Sequence, residues 1–149
     1  MIREILAADP ENPTTSIPAA ADFLLHTVKR KAVVFLISDF FAHDLKKPLS
    51  ALANKHDAIA LQVTDPMERK LPRVGKITLA DPETGIQTTV NTNNASVRTG
   101  FARLSQQHYE GLAKLFKQHG IDHLELSTTE DYLPHLHRLF KERIRRRNF

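Results

Sequence analysis

The chain contains no cysteine. Disulfides and thiolate metal sites are therefore excluded, and the composition suits a reducing compartment, so cytoplasmic placement is the expectation. No apolar stretch approaches the roughly 20 residues that span a bilayer, so no membrane segment is expected. Met1 is followed closely by Arg3, Glu4, Asp9 and Pro10, which is not a signal-peptide pattern. The sequence has no G-x-G-x-x-G, no P-loop and no G-x-S-x-G. It thus lacks a glycine loop for phosphate and a serine nucleophile elbow. Eight histidines are present, but none form an H-x-x-x-H pair with a third ligand. His135 and His137 are two apart on an expected helix and face different directions.

The 149 residues are enough for one domain with a real core. The formal net charge is +4, and much of it sits at the end, where Lys141, Arg143, Arg145, Arg146 and Arg147 face only Glu142. Basic residues there favour a helix C-terminus through the macrodipole. No aromatic residues interleave with them as a stacking platform for bases would require, so nucleic acid is not the expected partner.

Residues 31–39, KAVVFLISD, are the strongest local signal. The apolar run 32–37 reads as a strand buried on both faces. Asp39 follows it, where open α/β sheets place their ligand sites. Ser16 can cap a preceding helix from about residue 17, with Ala20, Phe23, Leu24 and Val28 on its apolar face. A helix over about 48–55, with Leu49, Leu52 and Ala53 inward, leads to a second strand at 58–63, which again ends in an acid, Asp65. Strand, helix, strand of these lengths predicts a parallel, right-handed unit. Residues 76–91 alternate on either side of the turn DPETG and predict a β-hairpin, of a kind that commonly extends a sheet or covers its edge. A long helix over about 95–119 carries Val97, Phe101, Leu104, Leu112, Leu115 and Phe116, and Gly120 stops it. A third buried strand follows at 121–126. Asp131 caps a last helix with Tyr132, Leu136, Leu139, Phe140 and Ile144 inward. Residues 1–8 read as the end of a further helix.

In a parallel pair, Asp39 and Asp65 would be neighbours about one strand spacing apart, roughly 5 Å for the backbones. Two such acids, with hydroxyls from Ser38 and Thr15, suit a hard cation such as magnesium. Each acid also has a plainer role as the cap of the turn that follows it. A magnesium-dependent hydrolase using Asp39 and Asp65 is one alternative, for which Glu68 and His43 are the nearby acid or base. A nucleic-acid binder acting through the basic tail is the other.

Thr15-Ser16-Ile17, then Arg30 to Phe40, then His56-Asp57-Ala58-Ile59-Ala60-Leu61 and Thr64-Asp65-Pro66 resemble a bacterial family labelled as domain of unknown function number fifty-eight. Glu68, Leu71-Pro72, Gly75, Asp81, Thr84-Gly85, Thr128, Asp131 and Tyr132 resemble its later blocks in order and spacing. The resemblance implies a von Willebrand factor A-like, Rossmann-like α/β fold: a parallel sheet flanked by helices, with an added β-hairpin. It implies one incomplete domain over 1–149, corresponding to the C-terminal half of such a protein. It also implies a remnant of a metal-ion-dependent adhesion site, with Thr15 and Asp39 as metal ligands and Ser38 and Asp65 as accessories. The Asp-x-Ser-x-Ser loop of such sites is absent from the sequence, so magnesium belongs to a full-length form and tight binding is not expected here. The implied role is a non-enzymatic protein-interaction module working with a MoxR-type AAA ATPase in complex assembly. In the family the strand at 32–37 pairs with an upstream strand, so a homo-oligomer formed through its open edge is the expectation for this chain.

Overall fold

A computed structural model describes residues 16–42, 44–80 and 85–147. The expected helix over 1–8 and the candidates Thr15 and His43 lie outside the described residues. Three parallel strands form the main sheet: β1 (Val33–Ser38), β2 (Asp57–Thr64) and β5 (Asp122–Ser127), in the order β1-β2-β5. Val33 pairs with Asp57 and Ser38 with Gln62; Ile59 pairs with Asp122 and Thr64 with Ser127. The fold is α/β, with helices on both faces of this sheet.

One face carries α1 (Ile17–Thr27), α2 (Lys46–Lys55) and α4 (Ala95–Gln118). Ile17, Phe40, Leu45, Leu49, Leu112, Phe116 and Ile121 close there over Ala58 and Ala60 of β2. The other face carries α5 (Leu133–Arg147), whose Leu139 packs on Ile59 and Leu61 with Leu124, Leu126 and Leu136 beside them. Consecutive residues of β2 thus point into two separate cores, as the two-residue period of a strand requires. Between β2 and the hairpin lies a single turn, α3 (Pro66–Arg69). β3 (Lys76–Ala80) and β4 (Gln87–Asn91) pair antiparallel as a separate two-stranded sheet.

The cap at Ser16 forms: its Oγ accepts the amide of Ala19 at 3.2 Å, with Pro18 in the tolerant first turn. The caps at Asn94 and Asp131 form likewise, with Ser96 and Leu133 donating their amides to the side-chain oxygens. Gly120 ends α4 with φ +65°, a conformation glycine adopts without a Cβ penalty.

Several expectations need correction. The strand buried on both faces is β2; β1 is last in the sheet order among the described residues, and its Val33, Phe35 and Ile37 are exposed while Val34 is buried. β5 is the opposite edge and is only half-buried. The inward face of α1 is Ile17 and Ala21, and Ala20 and Phe23 face out. In α4 the buried residues are Tyr109, Leu112 and Phe116, whereas Leu104 is exposed, because the first half of the helix runs past the edge of the sheet core. Of the α5 stripe only Leu139 is buried; Tyr132, Phe140 and Ile144 are exposed. The hairpin neither extends the main sheet nor covers its edge among the described residues.

Candidate functional site

The C-terminal ends of β1 and β2 gather Ser38, Asp39, Asp65, Glu68 and Thr128 around one open depression of about 590 Å³. Asp39 is exposed there and sits at the start of a tight turn. Ser38 Oγ accepts the Phe40 amide at 3.0 Å, and Asp39 Oδ1 accepts the Phe41 amide at 3.2 Å. The turn is possible because Phe40 adopts φ +59°. A non-glycine residue in that region costs on the order of 1 kcal/mol or more. Complete burial of the ring, edge-on to Phe116 at 5.1 Å between centroids, holds it there. Packing in the core therefore fixes where Asp39 points.

A second support comes from β2. Gln62 is fully buried; its Nε2 donates to the Asp39 carbonyl at 3.3 Å, and its Oε1 lies 2.9 Å from His123 Nε2. One side chain thereby ties the end of β1 to β2 and to the start of β5. A buried amide with both ends partnered costs little to bury and specifies a single geometry.

Asp65 does not lie directly beside Asp39. Ser38 pairs with Gln62, so Asp39 falls one residue past the pair and Asp65 three. The offset is two residues along the strand, about 6.5 Å. Asp65 caps α3: its Oδ1 accepts the Met67 amide at 2.7 Å, and Glu68 Oε2 accepts the Asp65 amide at 3.3 Å. That reciprocal pair is a capping box. Glu68 Oε2 also accepts the Tyr109 hydroxyl at 3.0 Å. Burial and the neighbouring Glu68 carboxylate push the Tyr109 hydroxyl well above its ordinary pKa, so it stays a donor. Arg69 lies over the Tyr109 ring at 3.9 Å and pairs with Glu125.

The described residues do not by themselves fit a divalent cation. No cluster of three or more histidine, aspartate or glutamate side chains suited to a metal occurs among them. The Ser38 hydroxyl is already engaged by the Phe40 amide and by Asp39, and Asp65 and Glu68 are committed to the α3 cap. Thr15, the other implied ligand, lies outside the described residues. No step of the reading below passes through a metal.

His108 stacks on Phe41 at 4.4 Å, nearly parallel, and its buried Nε2 has no hydrogen-bond partner among the described residues. Burial lowers its pKa, and the charges of Asp39 and Glu68 only partly oppose this. Burial lowers His123 in the same way. The unfolded chain therefore protonates these rings near pH 6.5, while the folded chain resists. Their contribution to stability is present above that pH and is lost as pH falls through the folded values. The urea midpoint is expected to fall between about pH 7.5 and about pH 5.5. The decline should be shallower in His108→Phe, which keeps the stack; an identical pH profile for the two proteins would acquit His108.

The sequence pointed to Ser38, Asp39, Asp65 and Glu68, and the structure brings all four to one edge. Gln62, His108 and Tyr109 gave no signal as site residues, though a lone glutamine inside the apolar strand 58–63 is an anomaly worth a partner search.

Residues 1–111 match the family model described as "Protein of unknown function DUF58". The chain belongs to that family. This DUF58 chain is 31% identical over 144 residues to an uncharacterized protein of Mycobacterium avium, an alignment covering 94% of this chain and 85% of the other. It is 32% identical over 149 residues to uncharacterized proteins of Mycobacterium bovis and Mycobacterium tuberculosis, covering 97% of this chain and 46% of theirs. It therefore spans most of one relative and about half the length of the others. No solved structure matches it significantly. Among its described residues no helix is long and apolar enough to cross a membrane.

Proposed function

We infer that this DUF58 chain is a non-enzymatic protein-interaction module whose working edge is the strand-end face around Ser38, Asp39 and Asp65. The observation that carries the reading is the placement of Asp39. Its carboxylate is exposed in a shallow acidic depression, held by a turn that the core itself fixes. Asp65 and Glu68 are taken up by the α3 cap, and Glu68 also by the Tyr109 hydroxyl, which shapes a surface rather than aiming an acid or base at a reacting atom. An open, rigid, acidic edge suits a basic side chain of a partner protein, and charges at such a rim govern specificity and association rate. The partner class is a MoxR-type AAA ATPase, as the family resemblance implies, with assembly of a larger complex as the setting.

The test is binding of the full chain to a purified MoxR-type ATPase from the same genome. Asp39→Lys should weaken that binding by about tenfold or more and reverse its salt dependence. Circular dichroism should show the fold intact, since the Asp39 side chain is exposed. Equal affinity of the two proteins would remove the strand-end edge from the mechanism.

A further inference from the structure

We propose that His123 is a positioning residue for the acidic edge: as the tautomer protonated at Nε2, it fixes which way the Gln62 amide points and so sets a donor, rather than an acceptor, against the Asp39 carbonyl. The proposal deepens the acidic-edge reading and rests on it only for the effect on partner binding. The polarity of the three groups follows from the fold alone. The Asp39 carbonyl oxygen can only accept a hydrogen bond. Gln62 meets it at 3.3 Å through Nε2, which donates. With Nε2 so placed, the single amide oxygen faces His123 Nε2 at 2.9 Å. That oxygen too can only accept, so the imidazole nitrogen opposite it must carry a proton. A neutral ring has one proton to give, which leaves Nδ1 bare. Burial lowers the pKa of His123 against a smaller opposing effect of Glu125, and so favours the neutral ring.

The opposite tautomer would present a lone pair to Gln62. The amide would then turn over to donate to it, and its oxygen would stand against the Asp39 carbonyl. Two acceptors at that distance repel, and Gln62 is fully buried, so no solvent relieves them. Strand register brings the groups within reach. Ser38 pairs with Gln62, and Ala60 pairs with His123. Ala60 and Gln62 are two apart on β2 and share a face, and His123 shares it beside Ala60. The short Ala60 side chain leaves the diagonal from His123 to Gln62 clear. Phe116, fully buried on the same face, lies 4.7 Å from the His123 ring and limits its rotation. His123 therefore acts on Asp39 through Gln62 and touches no partner itself.

Nitrogen NMR of the full chain reads the tautomer directly. Near neutral pH, His123 Nε2 should appear as the protonated nitrogen and Nδ1 as the bare one; the reverse assignment would overturn the proposal. Two variants of one shape then test polarity. His123→Gln still offers an N–H to Gln62 and should keep amide exchange at Phe40 and Phe41 within about twofold of the unsubstituted chain. His123→Glu, ionised at about pH 8, offers only acceptors. It should turn the Gln62 amide over and speed that exchange by about fivefold to tenfold, the worth of one neutral hydrogen bond. Equal exchange in the two variants would also overturn the proposal. Should His123→Glu fail to fold, the tautomer and the His123→Gln exchange still decide. For binding to the MoxR-type ATPase, His123→Leu adds no charge and should weaken it by about fivefold, while His123→Gln should retain it. An ATPase that never binds would sink the acidic-edge reading and leave the tautomer and exchange results to judge His123.

Discussion

Replacing Phe116 with alanine is expected to destabilise the protein by about 3–5 kcal/mol, measured as the shift in urea unfolding free energy. Phe116 is fully buried between the sheet and two helices. It meets Phe40 edge-on at 5.1 Å and lies 4.7 Å from the His123 ring. Removing it deletes transfer energy and leaves a cavity that β2 and β5, locked in register on either side, cannot collapse to fill. A domain of this size has on the order of 5–15 kcal/mol in total, so the variant should sit near the edge of folding. The loss reaches the candidate site as well. Phe40 is held in its left-handed conformation by this packing, so the turn presenting Asp39 should loosen, with faster amide exchange at residues 40 and 41. A cost below about 1 kcal/mol would mean that the core repacks around the gap and that the turn does not depend on it.

The second large effect is expected at the opposite end of the sheet. Arg143, on α5, forks between Asp57 at the start of β2 and Asp122 at the start of β5. Arg146 adds a contact to Asp122 at 2.8 Å. The Arg143 side chain is only 13% exposed. Burial disfavours its charge, but the hydrogen bonds and charges of the two carboxylates outweigh this and hold its pKa above the ordinary value. Arg143→Ala leaves two partly buried acids, of which Asp122 keeps the exposed Arg146 and Asp57 loses its arginine. Breaking a fully buried pair costs about 3–5 kcal/mol; the partial exposure of Asp57 reduces the expectation here to roughly 2–3 kcal/mol. Arg143→Lys should recover only part of it, because an ammonium cannot reach both carboxylates in the planar fork. Full recovery by lysine would mean that charge alone, without geometry, fastens α5.

The parallel sheet was legible in the chain because two apolar runs flank a helix of the right length, and that pattern has few other solutions. Which strand is central was not. The run 32–37 records that both faces of β1 seek cover; it carries no information about whether a neighbour stands beside it. β2, with Gln62 inside it, looked the less apolar of the two and is the more buried. Helix stripes were legible where a helix lies flat on the sheet, as at Leu49 and Leu52, and failed where it overhangs, as at Leu104. Asp39 and Asp65 could be placed at one edge from the βαβ pattern alone. Their true offset depends on strand register, and Gln62 finds His123 across 61 residues of sequence. No local pattern encodes a pairing of that span.

The segment of this chain that matches the DUF58 model stops at residue 111, within α4. Leu112, Phe116 and Ile121, which close one core, and Leu139, which closes the other, all come later. A protein cut at the limit of the matched sequence would keep Asp39, Asp65 and Glu68 but lose Phe116, which holds the Asp39 turn, and lose β5, so that β2 would become a bare flank with Ile59 and Leu61 facing water. What the family model delimits and what unfolds as one cooperative body are therefore different lengths of chain. Residues 112 to 149 supply a strand, a helix and the Arg143 fork on which that body depends.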